Sequence, residues 1–147
     1  MVELSPEIAV AYDDVRNDKT DTNWLCMQYQ DEKSDALVLA GTGSGGLAEF
    51  SAQLKDDQAA FGYLRMVVGN DALSQRAKFL LVSWCGAKVR VMRKAKLSVH
   101  IADVKTVLKS YSVEVAASSL DELKDKDLQL MLKKAMGANY DRQTSAY

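Results

Sequence analysis

The amino-acid sequence predicts a single α/β domain of the α+β type, one mixed sheet with helices available for both of its faces. Three observations carry this. The 147 residues, 48% hydrophobic and 27% charged, suffice for one core that buries roughly 70% of the unfolded-chain surface. Segments with helical apolar spacing alternate with short β-prone runs, in the order helix, two strands, helix, two strands, helix, strand, helix. The single proline, Pro6, lies near the N-terminus, so no proline-rich linker divides the chain.

Ser5-Pro6-Glu7 reads as the cap and first turn of a helix, because proline at the first helical position loses no intrahelical hydrogen bond. Ile8, Ala11, Tyr12 and Val15 line one face of it, and Asp18-Lys19-Thr20-Asp21 ends it. Trp24 to Tyr29 and Ala36 to Ala40 are short β-prone runs around a polar turn, as in an antiparallel hairpin. Leu47, Phe50 and Leu54 then fall at helical spacing. Phe61 to Val68 reads as a strand stopped by Gly69-Asn70-Asp71, and Phe79 to Cys85 as a central strand buried on both faces.

From Lys88 to Ser110 the pattern is helical, with Ile101, Val104 and Leu108 in one stripe and Ser98 as a cap inside the segment. Ser112 to Ala117 reads as the last strand. Ser119-Leu120-Asp121-Glu122 fits a capping box for a terminal helix carrying Leu128, Met131, Leu132 and Ala135, closed by Gly137. The expected division is therefore one domain over residues 1–137 and a flexible tail over 138–147.

The composition narrows the function. Cys26 and Cys85 lie in apolar runs, which suits buried, reduced thiols and not a disulfide framework. The N-terminal stretch carries acids where a signal peptide needs basic and apolar residues, and no apolar run approaches the ~20 residues of a membrane span. A cytoplasmic protein is expected. His100 is the single histidine and reads as a surface or capping residue near a helix start, so no zinc site is expected. No nucleophile elbow, zincin, Walker or EF-hand motif occurs. The expectation is a protein that is not an enzyme and has no cofactor.

Gly41-Thr42-Gly43-Ser44-Gly45-Gly46 matches the spacing of a dinucleotide-binding loop. Its preceding strand looks like half of a hairpin, and no acid follows about 20 residues on to hold a ribose. A flexible strand-to-helix connection is the favoured reading, and a small nucleotide-binding enzyme the alternative.

Charge is strongly polarised along the chain. The formal net charge is −1, yet residues 76–109 hold nine bases against Asp103 alone, residues 1–75 sum to −8 and residues 110–147 to −1. The block comprises Arg76, Lys78, Lys88, Arg90, Arg93, Lys94, Lys96, Lys105 and Lys109. If it forms one surface, it suits an acidic partner bound in a salt-sensitive way. Nucleic acid is not favoured, because the block's aromatics, Phe79 and Trp84, fall inside a core strand and cannot stack on bases.

Gly69-Asn70-Asp71-Ala72-Leu73-Ser74-Gln75-Arg76-Ala77-Lys78-Phe79, leading to Ser83-Trp84-Cys85-Gly86, resembles the central signature of the coactosins. Ala11 to Asp18 before Trp24, and Leu132-Lys133-Lys134-Ala135-Met136-Gly137-Ala138-Asn139-Tyr140-Asp141, resemble their first helix and terminal segment. The resemblance implies an actin-depolymerising-factor (ADF) homology domain, with a mixed five- or six-stranded sheet sandwiched between helices. It also implies binding to actin filaments with little or no severing, weak or no binding of monomeric actin, no membrane partner and a monomeric, cytoskeletal protein. Lys78 matches the family's main filament-binding lysine and Arg76 the arginine beside it. Lys133 and Lys134 match lysines near the same surface. The helix from about Ser98 to Lys109 takes the place of a long actin-contacting helix, which adds Lys105 and Lys109. Gln75 departs from a position that is often basic in the family. A cofilin-like severing factor is the alternative within the same class.

Overall fold

The computed structural model describes residues 2–69 and 75–145, with 136–145 described by their backbone alone. The elements are α1 (Pro6–Arg16), β1 (Trp24–Tyr29), β2 (Leu37–Gly43), α2 (Gly46–Ser51), β3 (Ala59–Val68), β4 (Arg76–Cys85), α3 (Val91–Val107), β5 (Val113–Ala117) and α4 (Asp125–Ser145). Their order is the predicted one. Most of the turn expected at Gly69-Asn70-Asp71 lies outside the described residues.

The strands form one mixed sheet in the order β2-β1-β3-β4-β5. All neighbours are antiparallel except β4 and β5. A parallel pair needs a crossover, and α3 supplies it. Alternation along the strands divides the core into two layers. Trp24, Leu64, Leu80 and Trp84 face one side, where Phe50 of α2 and Leu128 and Leu132 of α4 cover them. Leu25, Phe61, Tyr63 and Leu81 face the other, under Ile8 and Val15 of α1 and Leu97 and Val104 of α3. β4 contributes to both layers, which is why its sequence is almost continuously apolar. Gly62 of β3 lets Phe50 dock, since a Cβ there would overlap the Phe50 ring.

Several local features differ from expectation. β2 runs on through Gly41 to Gly43, because cross-strand bonding to β1 needs no side chain. Ser5 occupies the α1 cap position, but its hydroxyl donates to the Glu7 carboxylate at 2.8 Å instead of accepting a backbone N–H. α3 begins at Val91, so Ser98 is mid-helix and donates back to the carbonyls of Lys94 (3.2 Å) and Ala95 (3.1 Å). His100 is consequently buried, with Nδ1 2.8 Å from the Tyr29 hydroxyl. The Ser119–Glu122 capping box does not form: the Ser119 hydroxyl donates to the Glu122 carboxylate at 3.4 Å and caps no backbone N–H, a short 3-10 turn spans Leu120–Leu123, and α4 starts after it. α4 passes through Gly137 and does not stop there.

Candidate functional site

β3 and β4 have ten residues each, more than any other strand of the sheet. β1 begins opposite Leu64, and β5 begins opposite Leu80. Arg65–Val68 and Arg76–Phe79 therefore pair with each other as a two-stranded arm. At ~3.3 Å per residue it reaches about 13 Å beyond the rest of the sheet. Arg76 and Lys78 are on this arm.

Direct cross-strand partners share a face, so Lys78 lies beside Met66 and Arg76 beside Val68. Met66 and Val68 are buried in the layer that Leu128 and Leu132 of α4 cover. Gln129 of α4 donates to the Val67 carbonyl at 3.2 Å, which ties the helix to the arm. Lys78 is half-buried and Arg76 exposed. Lys133 and Lys134, both exposed, follow Leu132 directly on α4. Arg76 and Lys78 thus share the α4-covered face of the arm, and Lys133 and Lys134 lie one turn beyond the Gln129 tie on the same helix.

Lys105 and Lys109 reach the same end of the sheet from the α3 side. Lys109 is exposed in the connection to β5, where the Ser112 N–H donates to the Phe79 carbonyl at 2.8 Å. Lys105 Nζ lies 2.7 Å from Glu114 Oε1 and 6.0 Å from the Tyr111 ring centroid. The hydrogen bond to Glu114 raises the Lys105 pKa, and the carboxylate offsets the ammonium charge locally. Lys105 offers a partner less charge than Lys109 does.

The basic block is not one surface. α3 has 17 residues, and at 1.5 Å each its ends are about 25 Å apart. Its first turns lie beside the β1–β2 turn, at the far end of the sheet from the arm. There the Arg93 guanidinium donates to the carbonyls of Asp31 (3.1 Å), Glu32 (2.7 Å) and Ser34 (3.0 Å) and to Asp35 Oδ1 (3.4 Å). It also stacks 3.9 Å from the Tyr29 ring centroid, and its side chain is only 15% exposed. Lys96 Nζ pairs with the same Asp35 carboxylate at 3.1 Å and holds its pKa below the usual carboxylate value. Part of the positive charge between residues 88 and 96 therefore fastens a turn. A groove of about 640 Å³ at this end has mixed charge, with Lys33, Lys55, Lys88 and Arg90 beside Asp31 and Asp57.

One apolar feature escaped the sequence reading. Met92 (75% exposed), Ala95, Val99 (68% exposed) and Ala102 form a stripe on the outer face of α3. Their spacing of three, four and three is that of one helical face.

The glycine stretch is accounted for by packing. The Gly45 N–H donates to Glu49 Oε1 at 3.1 Å and the Gly46 N–H to Asn23 Oδ1 at 2.9 Å. These are N–H groups a phosphate would require. Trp24 Nε1 donates to the same Glu49 oxygen at 2.8 Å. A Cβ on Gly43 would overlap Glu49 and come within 2.6 Å of Trp24 Nε1. Gly43→Val is therefore expected to cost about 2 kcal/mol through overpacking, lowering the thermal midpoint by roughly 4–8 °C in a calorimetric melt. Burial pushes the Cys26 thiol up to about 12, leaving it un-ionised at neutral pH. Among the described residues no group of three or more His, Cys, Asp or Glu could hold a metal ion, and no helix is long and apolar enough to cross a membrane.

A lysine- and arginine-bearing arm, backed by a terminal helix on a sheet covered by helices on both faces, defines a binding domain. The family profile of cofilin/tropomyosin-type actin-binding proteins matches residues 1–133, and the chain belongs to that family. Within it the chain is of the coactosin type. It is 41% identical over 142 residues to coactosin of Dictyostelium discoideum, covering 96% of this chain and 95% of the relative. Its fold superposes on the crystal structure of coactosin from Entamoeba histolytica with a TM-score of 0.84 at 29% identity, over 92% of this chain and 97% of the other. It superposes on the solution structure of mouse coactosin, described as an actin filament binding protein, with a TM-score of 0.74 at 32% identity, over 97% of both chains.

Proposed function

We propose that the chain binds the side of actin filaments through the arm end of the sheet, as a binding protein and not an enzyme. The carrying observation is that Arg76 and Lys78 lie on the α4-covered face of a projecting arm to which Gln129, one turn before Lys133 and Lys134, is hydrogen-bonded. An acidic filament surface complements such a cluster, and a half-buried lysine that the partner desolvates on contact contributes more than rim charges do. Lys109 adds to it from the α3 side, and Lys105 adds less because of Glu114. Val99 and Ala102, the members of the stripe nearer the arm end, give α3 a small dry surface to lay against actin, so binding is not wholly electrostatic. Mouse coactosin, described as filament-binding, supports the filament reading.

The same reading gives weak or no capture of monomeric actin, little severing, a monomeric protein and a cytoplasmic, cytoskeletal location. Nucleic acid and membranes are not partners on this reading. Trp84 is buried and Phe79 packs inward against Tyr63, so neither can stack on bases. The binding unit is residues 1–137, and a protein ending at Gly137 should bind as the full chain does.

Co-sedimentation with filaments tests this at two salt concentrations. The protein should pellet with filaments at low salt and bind about tenfold more weakly at a few hundred millimolar salt. Absence from the pellet at low salt would sink the proposal.

A further inference from the structure

Behind the arm, on the face opposite Lys78, lies a cluster of one cation and three aromatic rings. The Arg16 guanidinium, at the end of α1, lies 4.7 Å from the Phe79 ring centroid and 5.8 Å from that of Tyr12. It donates to the Tyr63 hydroxyl oxygen at 3.2 Å and to the Ser110 carbonyl at 3.4 Å. The Tyr63 hydroxyl also donates to the Ser110 carbonyl, and the Ser110 N–H donates to the Tyr12 hydroxyl at 3.0 Å. Tyr63 stacks on Phe79 with centroids 5.4 Å apart and planes 5° from parallel.

The two backbone segments held this way are those flanking the binding lysines. Phe79 follows Lys78, and Ser110 follows Lys109. The Ser112 N–H joins them directly at the Phe79 carbonyl. The cluster thus fixes the separation between the arm and the α3–β5 connection from behind, with Lys78 on the opposite strand face and Lys109 exposed.

We infer that Arg16 is a positioning residue for filament binding, holding Lys78 and Lys109 in one fixed relation through Phe79 and Ser110. This rests on the filament-binding reading above. Arginine suits the task because its planar group stacks on a ring and donates in its own plane at the same time. A lysine ammonium keeps the charge but cannot do both. Chained donation from Arg16 to Tyr63 to Ser110 strengthens each bond. Burial keeps the Tyr63 phenol protonated and able to donate.

The test compares the parent, Arg16→Lys, Arg16→Ala and Lys78→Ala. Filament co-sedimentation is measured at two salt concentrations, and amide hydrogen exchange at Ser110 and Ser112. Arg16→Lys should speed exchange at both amides about tenfold. It should weaken filament binding about tenfold by the same factor at low and high salt, since charge is retained. Tyr12→Phe, which removes the acceptor of the Ser110 N–H and leaves Arg16 in place, should speed Ser110 exchange. It keeps the test decisive if the Arg16 variants fold poorly. Full binding by Arg16→Lys with a loss in Arg16→Ala would make Arg16 a direct cationic contact and overturn the inference. Unchanged exchange in Arg16→Lys or Tyr12→Phe would overturn it as well. If neither the parent nor Lys78→Ala pelleted with filaments, the filament reading would fail, while the exchange data would still decide whether the clamp exists.

Discussion

Lys78→Ala is expected to lose most filament binding, about 30- to 150-fold in affinity, with an unchanged thermal midpoint. The first half follows from position. Lys78 is half-buried on the arm beside Met66, at the centre of a group whose other members are exposed. Truncating a charge that is desolvated on contact costs about 2–3 kcal/mol or more, whereas a rim charge costs ~1 kcal/mol or less. Arg76→Ala, Lys133→Ala and Lys134→Ala should therefore each weaken binding only several-fold. The second half follows from the arm's construction. Its apolar side is held by Met66, Val68 and Leu80 under α4, and its α1 side by Arg65. That guanidinium donates to the carbonyls of Val15 (3.0 Å), Asn17 (2.8 Å) and Thr20 (2.9 Å). None of these contacts needs the lysine. Co-sedimentation beside a thermal melt separates the two halves, and a variant that pellets like the parent refutes the first.

Arg93→Ala should show the reverse pattern, a large loss of stability and a small loss of binding. Its guanidinium satisfies three carbonyls of the β1–β2 turn and reaches Asp35 while covering Tyr29. Deleting it strands those acceptors and leaves a hole against the ring. Charge-assisted hydrogen bonds contribute about 1.5–3 kcal/mol each at best and do not add fully, so a net loss of ~3 kcal/mol is expected. For a chain of this size that lowers the midpoint by roughly 6–12 °C. Arg93→Lys should recover little, because one ammonium cannot serve a fork of carbonyls and stack on a ring. Well below the transition, filament affinity should fall far less than in Lys78→Ala. An equal fall in both variants would contradict the separation of the two ends of α3.

Periodicity located the elements well where side chains carry the signal. The run Trp24 to Tyr29 is β1 as expected, and the Leu128/Leu132 repeat placed α4 correctly on the core. It failed where they do not. Gly41 and Gly43 hid the second half of β2, since a glycine in an edge strand shows no alternation. The charges of Arg76 and Lys78, on either side of Ala77, concealed the first three residues of β4, and with them the arm. The helical pattern from Lys88 covered α3, but reading Ser98 as a cap put a helix start beside His100 and misplaced that side chain at a surface, whereas both lie in mid-helix. The pairing of Arg93 with a turn some sixty residues away has no local signature at all. The candidate lysines were named from motif resemblance. What the fold adds is their grouping, because Lys105 is paired with Glu114 and residues 88–96 lie at the other end of the sheet.

In the proposed complex the arm end of the sheet faces actin. Zero-length carbodiimide cross-linking of the protein to filaments, read by mass spectrometry, tests it directly because it joins only amines and carboxylates already in contact. Cross-links from Lys78, Lys133 and Lys134 to actin carboxylates are predicted, with none from Lys33 or Lys55 at the opposite end. Cross-links confined to Lys33, Lys55 and Lys88 would place the filament on the opposite end of the molecule and refute the proposed interface.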